Sequence, residues 1–121
     1  MEFELRKDDG IVIVKPQHAL TEQDFARLSA AVDPYLAESG ILNALVIYTP
    51  DFPGWDSLAG LLSHIQFVKQ HVANIRKVAF VTDSKLISVV PKFADLFVSA
   101  EIEHFPYSDF DRAIDWATTE A

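Results

Sequence analysis

Ala44-Leu45-Val46-Ile47-Tyr48-Thr49-Pro50-Asp51-Phe52-Pro53-Gly54-Trp55 carries the strongest fold signal in the chain. It opens as a strand-like apolar run and continues into a loop holding two prolines, a glycine and two large aromatics. From Trp55 onward Leu58, Leu61, Leu62, Ile65, Val68 and Val72 recur at the spacing of one helical face, which predicts a helix over 55–72 packed on a sheet. A strand that passes through a stiff loop into a helix is a βα unit, and open α/β sheets carry ligand or partner sites at the carboxyl ends of such strands. The stretch therefore sets both a fold class and a place to look for function.

Upstream, Phe3–Leu5 and Gly10–Lys15 read as a hairpin turned at Asp9-Gly10, because glycine accepts the positive φ that tight turns need. Ile11-Val12-Ile13-Val14 is β-branched on both faces, the pattern of an interior strand. Thr21-Glu22-Gln23-Asp24 has capping-box spacing, with Asp24 in place of the usual longer acid. Phe25, Leu28, Val32, Tyr35 and Leu36 continue it as a helix; Pro34 predicts a kink or division, and Gly40 a stop. Downstream, Arg76–Val81 reads as a strand entered through basic residues. Leu86, Val90, Phe93 and Phe97 read as a helix over 85–98, Ala100–Phe105 as a strand, and Ser108 as the start of a last helix carrying Phe110, Ala113, Ile114 and Ala117.

The element string β-β-α-β-α-β-α-β-α predicts one α/β domain over 1–121, with an opening antiparallel hairpin followed by parallel βα units. Right-handed crossovers between neighbouring strands place the helices mainly on one face of this mixed sheet. Strands apolar on both sides then require a helix segment, a partner or a ligand on the other face. A symmetric homodimer is one way to cover it.

Ten basic against 18 acidic residues leave a formal charge of −8, which opposes a phosphate backbone or an anionic membrane, and no dense Lys/Arg cluster offsets it. Nucleic-acid binding is not expected. The apolar runs fall short of the roughly 20 residues that cross a bilayer, so no stable membrane insertion is expected. The amino terminus lacks the pattern of a secretory signal, which makes the cytoplasm the expected compartment. The absence of cysteine removes disulfide, thiolate-nucleophile and thiolate-metal chemistry.

Among polar candidates, Ser57 and His64 stand two helical turns apart, about 10 Å along the axis, too far for a nucleophile and its base. A hydrolase is therefore the least favoured reading. His18, His64, His71 and His104 carry no metal-ligand spacing, and Gly54 and Gly60 do not form a phosphate-binding pattern, so neither a metal nor a nucleotide cofactor is expected. Phe52, Trp55, Leu58, Leu62, Phe93 and Phe97 can line an apolar cleft between the helices around 55–72 and 85–98, suited to an acyl chain or another nonpolar ligand. The same side chains can instead close into a helix–helix core.

As an ordered set, the opening hairpin, Phe52-Pro53-Gly54-Trp55, Arg76-Lys77-Val78-Ala79-Phe80-Val81-Thr82-Asp83 and Ser99-Ala100-Glu101-Ile102-Glu103-His104-Phe105-Pro106 resemble the SpoIIAA-like family of STAS domains over nearly the whole chain. The resemblance implies a non-enzymatic module that binds a nonpolar small molecule or lipid, or displays a regulated surface to a protein partner. Anti-sigma-factor antagonists of this fold present a phosphorylatable serine at the start of the helix after the central strand. Ser57 is its positional counterpart, within Trp55-Asp56-Ser57-Leu58-Ala59-Gly60 rather than the Asp-Ser-Ser/Thr-Gly sequence of those switches. Local helix capping is the alternative use of Ser57.

Overall fold

The structure, a computed structural model, describes residues 1–83 and 100–119. Five strands form one sheet in the order β1-β2-β3-β4-β5: β1 Glu2–Arg6, β2 Ile11–Lys15, β3 Leu42–Tyr48, β4 Ile75–Val81 and β5 Glu101–Phe105. β1 pairs antiparallel with β2, and the remaining neighbours are parallel. Gly10, at φ +68°, closes the hairpin by donating to the Arg6 carbonyl at 2.9 Å. The predicted mixed sheet is thus present. The predicted helix over 85–98, with Phe93 and Phe97, lies outside the described residues.

Helix α1 spans Glu22–Ser39. Its capping box closes in both directions: the Asp24 N–H donates to Thr21 Oγ1 at 3.1 Å, and the Thr21 N–H donates to the Asp24 carboxylate at 2.9 Å. Burial raises the Asp24 pKa, but those hydrogen bonds and the terminal ammonium 3.0 Å away outweigh it and hold the carboxyl below its usual value. The helix does not divide at Pro34. Pro34 and Ala30, whose carbonyl loses its intrahelical donor, both lie on the exposed side, where water can replace the missing bond. Gly40 ends the helix at φ +78° and donates to the Leu36 carbonyl.

Alternation along the strands separates two cores. Val12, Val14, Leu45 and Val78 face a layer that includes Phe25, Leu28 and Val32 of α1 and Phe67 of helix α2 (Leu58–His71). Ile11, Ile13, Ala44, Val46, Ala79 and Val81 face the other way, against helix α3 (Phe110–Thr118). The second sheet face is therefore covered by this chain's own last helix, and the argument for a dimer across an open sheet face does not apply to it.

Ala113 and Ala117 are fully buried and small enough for α3 to approach Ala44 and Ala79 closely. Lys77, only 4% exposed, reaches from β4 to the end of α3. Its ammonium donates to the carbonyls of Trp116 at 2.8 Å and Thr119 at 2.7 Å and lies 5.0 Å from the Trp116 ring centre. A cation at a helix carboxyl end meets both the unsatisfied carbonyls and the helix dipole. Before α3, residues Tyr107–Asp109 form a 3₁₀ turn, and the backbone enters the helix at Asp109 instead of Ser108.

Candidate functional site

The loop after β3 is held at both ends and along its length. The Thr49 N–H donates to the Val81 carbonyl, and the Thr49 hydroxyl shares its proton between the carbonyls of Pro16 at 3.1 Å and Asp51 at 2.9 Å. Leu20, ahead of α1, donates to the Gly54 carbonyl at 2.8 Å and accepts from the Asp56 N–H at 3.0 Å, so the loop's second half runs as a short parallel bridge beside it. Gly54 takes φ +81° to make the turn. At Gly60 a Cβ would come within 2.7 Å of the Leu20 carbonyl oxygen, which explains a glycine in the first turn of α2. Ser57 caps that turn: its Oγ accepts from the Gly60 N–H at 3.2 Å and donates to the Asp56 carboxylate at 3.1 Å.

This anchoring sets Trp55 and Phe52 against α2. Their rings meet edge to face at 5.3 Å, and the Trp55 indole N–H donates to His64 Nδ1 at 3.1 Å. The bond requires an unprotonated Nδ1. Packed between the loop and Phe25, on which its ring stacks at 4.8 Å, His64 is depressed by burial to a pKa of about 4 and stays neutral near pH 7. The aromatic contacts continue along the α1–α2 seam from Phe25 to Phe67 at 6.2 Å and from Phe67 to His71 at 4.2 Å. His71 ends the series. Its Nδ1 lies 2.8 Å from the Phe67 carbonyl and its Nε2 2.6 Å from Asp33 Oδ1, tying α2 to α1 and engaging both ring nitrogens.

The inward face of α2 is thus Gly60, His64, Phe67 and His71, at steps of four, three and four residues. It is offset from the predicted leucine stripe, whose Leu61, Ile65, Val68 and Val72 are half-buried. Leu58 and Leu62 stand 71% and 56% exposed, and Trp55, three residues ahead of Leu58 in the chain, 37%. Of the predicted site residues, Phe52 and Trp55 come together at the loop, Leu58 and Leu62 extend an apolar surface along the first two turns of α2, and Ser57 is the helix cap. Phe93 and Phe97 lie outside the described residues. Sequence reasoning missed His64 as the partner of Trp55, and Phe25 and Phe67 as the aromatic seam; the 60-64-67-71 spacing was the signal that marked that face.

A second aromatic group lies on the α3 side, at the carboxyl ends of β3, β4 and β5. Tyr48 stacks on Tyr107 at 4.7 Å and packs on Phe110 at 4.4 Å. A hydrogen bond with Tyr107, then burial, then the neighbouring Tyr107 and Asp111 charges raise the Tyr48 pKa. The Tyr107 N–H donates to Asp83 at 3.1 Å, and His104 Nε2 donates to the Thr82 carbonyl at 2.7 Å. Among the described residues no group of three or more His, Asp and Glu side chains is placed to hold a metal ion, and no helix is long and apolar enough to cross a membrane.

One antiparallel hairpin, three parallel pairings and a stapled loop at the carboxyl end of the central strand define a small α/β module of the STAS type. The model of the SpoIIAA-like family matches residues 11–118, nearly the whole chain, and the chain belongs to that family. Membership makes it a binding or regulatory module and not an enzyme. No curated protein and no solved structure matches it.

Proposed function

We propose that the chain binds a nonpolar small molecule or lipid on the surface formed by the Phe52–Trp55 loop and the first two turns of α2. The observation that carries this reading is the exposure of Leu58 and Leu62, an i, i+4 pair, together with that of Trp55. Burying one such leucine is worth roughly 1.5–3 kcal/mol, so leaving both in water has a cost that a bound apolar group would remove. The loop suits this use because its backbone bonds hold Phe52 and Trp55 in place before anything binds. The test is native mass spectrometry of protein purified from its own cells, with solvent extraction of what it carries, for the natural sequence and for Leu58→Gln/Leu62→Gln. A reproducible apolar adduct lost in the double variant supports the reading; an adduct that persists, or no adduct, counts against it.

A further inference from the structure

A second surface, which shares Leu62 with the Trp55–Leu58–Leu62 face, runs the length of the α1–α2 seam. Two depressions of about 390 and 520 Å³ open along it on either side of Gln70, which lines both, and together they form a furrow interrupted at that residue. On α1 its wall is Glu22, Ala26, Ser29, Asp33 and Ala37, a single stripe at steps of four, three, four and four. On α2 it is Leu62, Gln66 and Gln70, with the buried rings of Phe25 and Phe67 below the middle. Among the described residues, the charged side chains in the first depression and at the α1 wall of the second are carboxylates: Glu22 at one end and Asp33, its side chain 60% exposed, at the other. Asp33 also contacts His71, the one titratable base in the lining. Eleven residues of helix separate the two acids, about 16 Å or three turns.

We propose that this furrow takes an amphipathic helix of a partner protein, about three turns long, with apolar residues at i, i+3/i+4 and i+7 and a Lys or Arg near each end. Exposed Leu62 and Ala26, above the buried Phe25 and Phe67 rings, receive the helix's apolar stripe, and the spacing of the carboxylates fixes its register. The net charge of −8 adds long-range attraction for a basic segment. An anionic lipid, by contrast, would place its head beside one carboxylate or the other. Leu62 belongs to both this furrow and the nonpolar-ligand face, and substitutions at Ala26 and Gln66, which lie outside that face, tell the two apart.

The test uses a labelled designed peptide of about twelve residues with that leucine spacing and terminal lysines, a composition-matched scramble, and a version with glutamate at both ends. Binding is followed by fluorescence anisotropy and by amide NMR shifts of the full chain, and phosphatidylcholine vesicles serve as the lipid probe. The lysine-ended helix should bind at least about tenfold more tightly than either control, with shifts centred on Ala26, Gln66 and Gln70. Ala26→Lys and Gln66→Lys, both at exposed positions, should each weaken it about tenfold while leaving any Leu58-dependent adduct in place. Equal binding of the scramble, shifts centred elsewhere, indifference to both lysine substitutions, or vesicles that compete the peptide from the furrow would overturn the proposal.

Discussion

Lowering the pH should unlatch Trp55 before it unfolds the sheet. The perturbation is protonation of His64, whose Nδ1 accepts the Trp55 indole proton and whose ring sits between the loop and Phe25. Burial moves this imidazole from the ordinary 6.5 to about 4. Between those values the unfolded chain binds a proton that the folded chain refuses, so stability is full above pH 6.5 and declines as pH falls toward 4. Each pH unit is worth about 1.4 kcal/mol, which makes the whole contribution at most about 3 kcal/mol for a ring that is only partly shielded from water. Urea unfolding at steps from pH 7.5 to 4.5 should show that decline in the natural sequence and a flatter profile in His64→Leu. Over the same range, the His64 Cε1–H resonance should hold its neutral position to near pH 4. The reasoning is refuted if folded His64 titrates near 6.5, or if His64→Leu loses stability with the same slope. Asp24 does not confuse the measurement, since its lowered carboxyl pKa gives stability that disappears only as pH falls below 3.8.

Two further substitutions probe how the fold positions the site. Lys77→Met removes the cation from the end of α3 and leaves the Trp116 and Thr119 carbonyls without their donor. It should cost about 3 kcal/mol, and hydrogen exchange should show α3 losing protection ahead of β3 and β4. Gly60→Ala forces a Cβ against the Leu20 carbonyl, where backbone must shift. A loss of about 1–3 kcal/mol with a changed Trp55 environment in near-UV circular dichroism is expected, and an unchanged melting curve would show that the Leu20 contact is not tight.

The sheet was legible because its central strands are apolar on both faces and the hairpin and α1 carry explicit local signals: Asp9-Gly10, the Thr21/Asp24 box and Gly40. Those signals depend on neighbours in sequence, and the structure realises them with the expected bonds. The face of α2 was harder to read. Six aliphatic residues at helical spacing outweighed a stripe made of glycine, two histidines and one phenylalanine, yet the latter turns inward. Its partners are remote: Leu20 for Gly60, Phe25 and Trp55 for His64, and Asp33 for His71. Lys77 was unreadable for the same reason, since a lysine at the start of a strand ordinarily faces water and only α3, some 40 residues later in the chain, supplies its acceptors. Pro34 does not divide α1, because the Ala30 carbonyl it orphans lies on the exposed side.

The central claim is that the exposed Trp55–Leu58–Leu62 surface is a binding face for something apolar. Native mass spectrometry of protein from its own cells, compared directly with Leu58→Gln/Leu62→Gln, tests that claim in one measurement. The natural sequence should carry an extractable nonpolar adduct, and the double variant should lose it with unchanged folding. An adduct carried equally by both would contradict it, as would a natural protein that is empty under conditions gentle enough to retain apolar ligands.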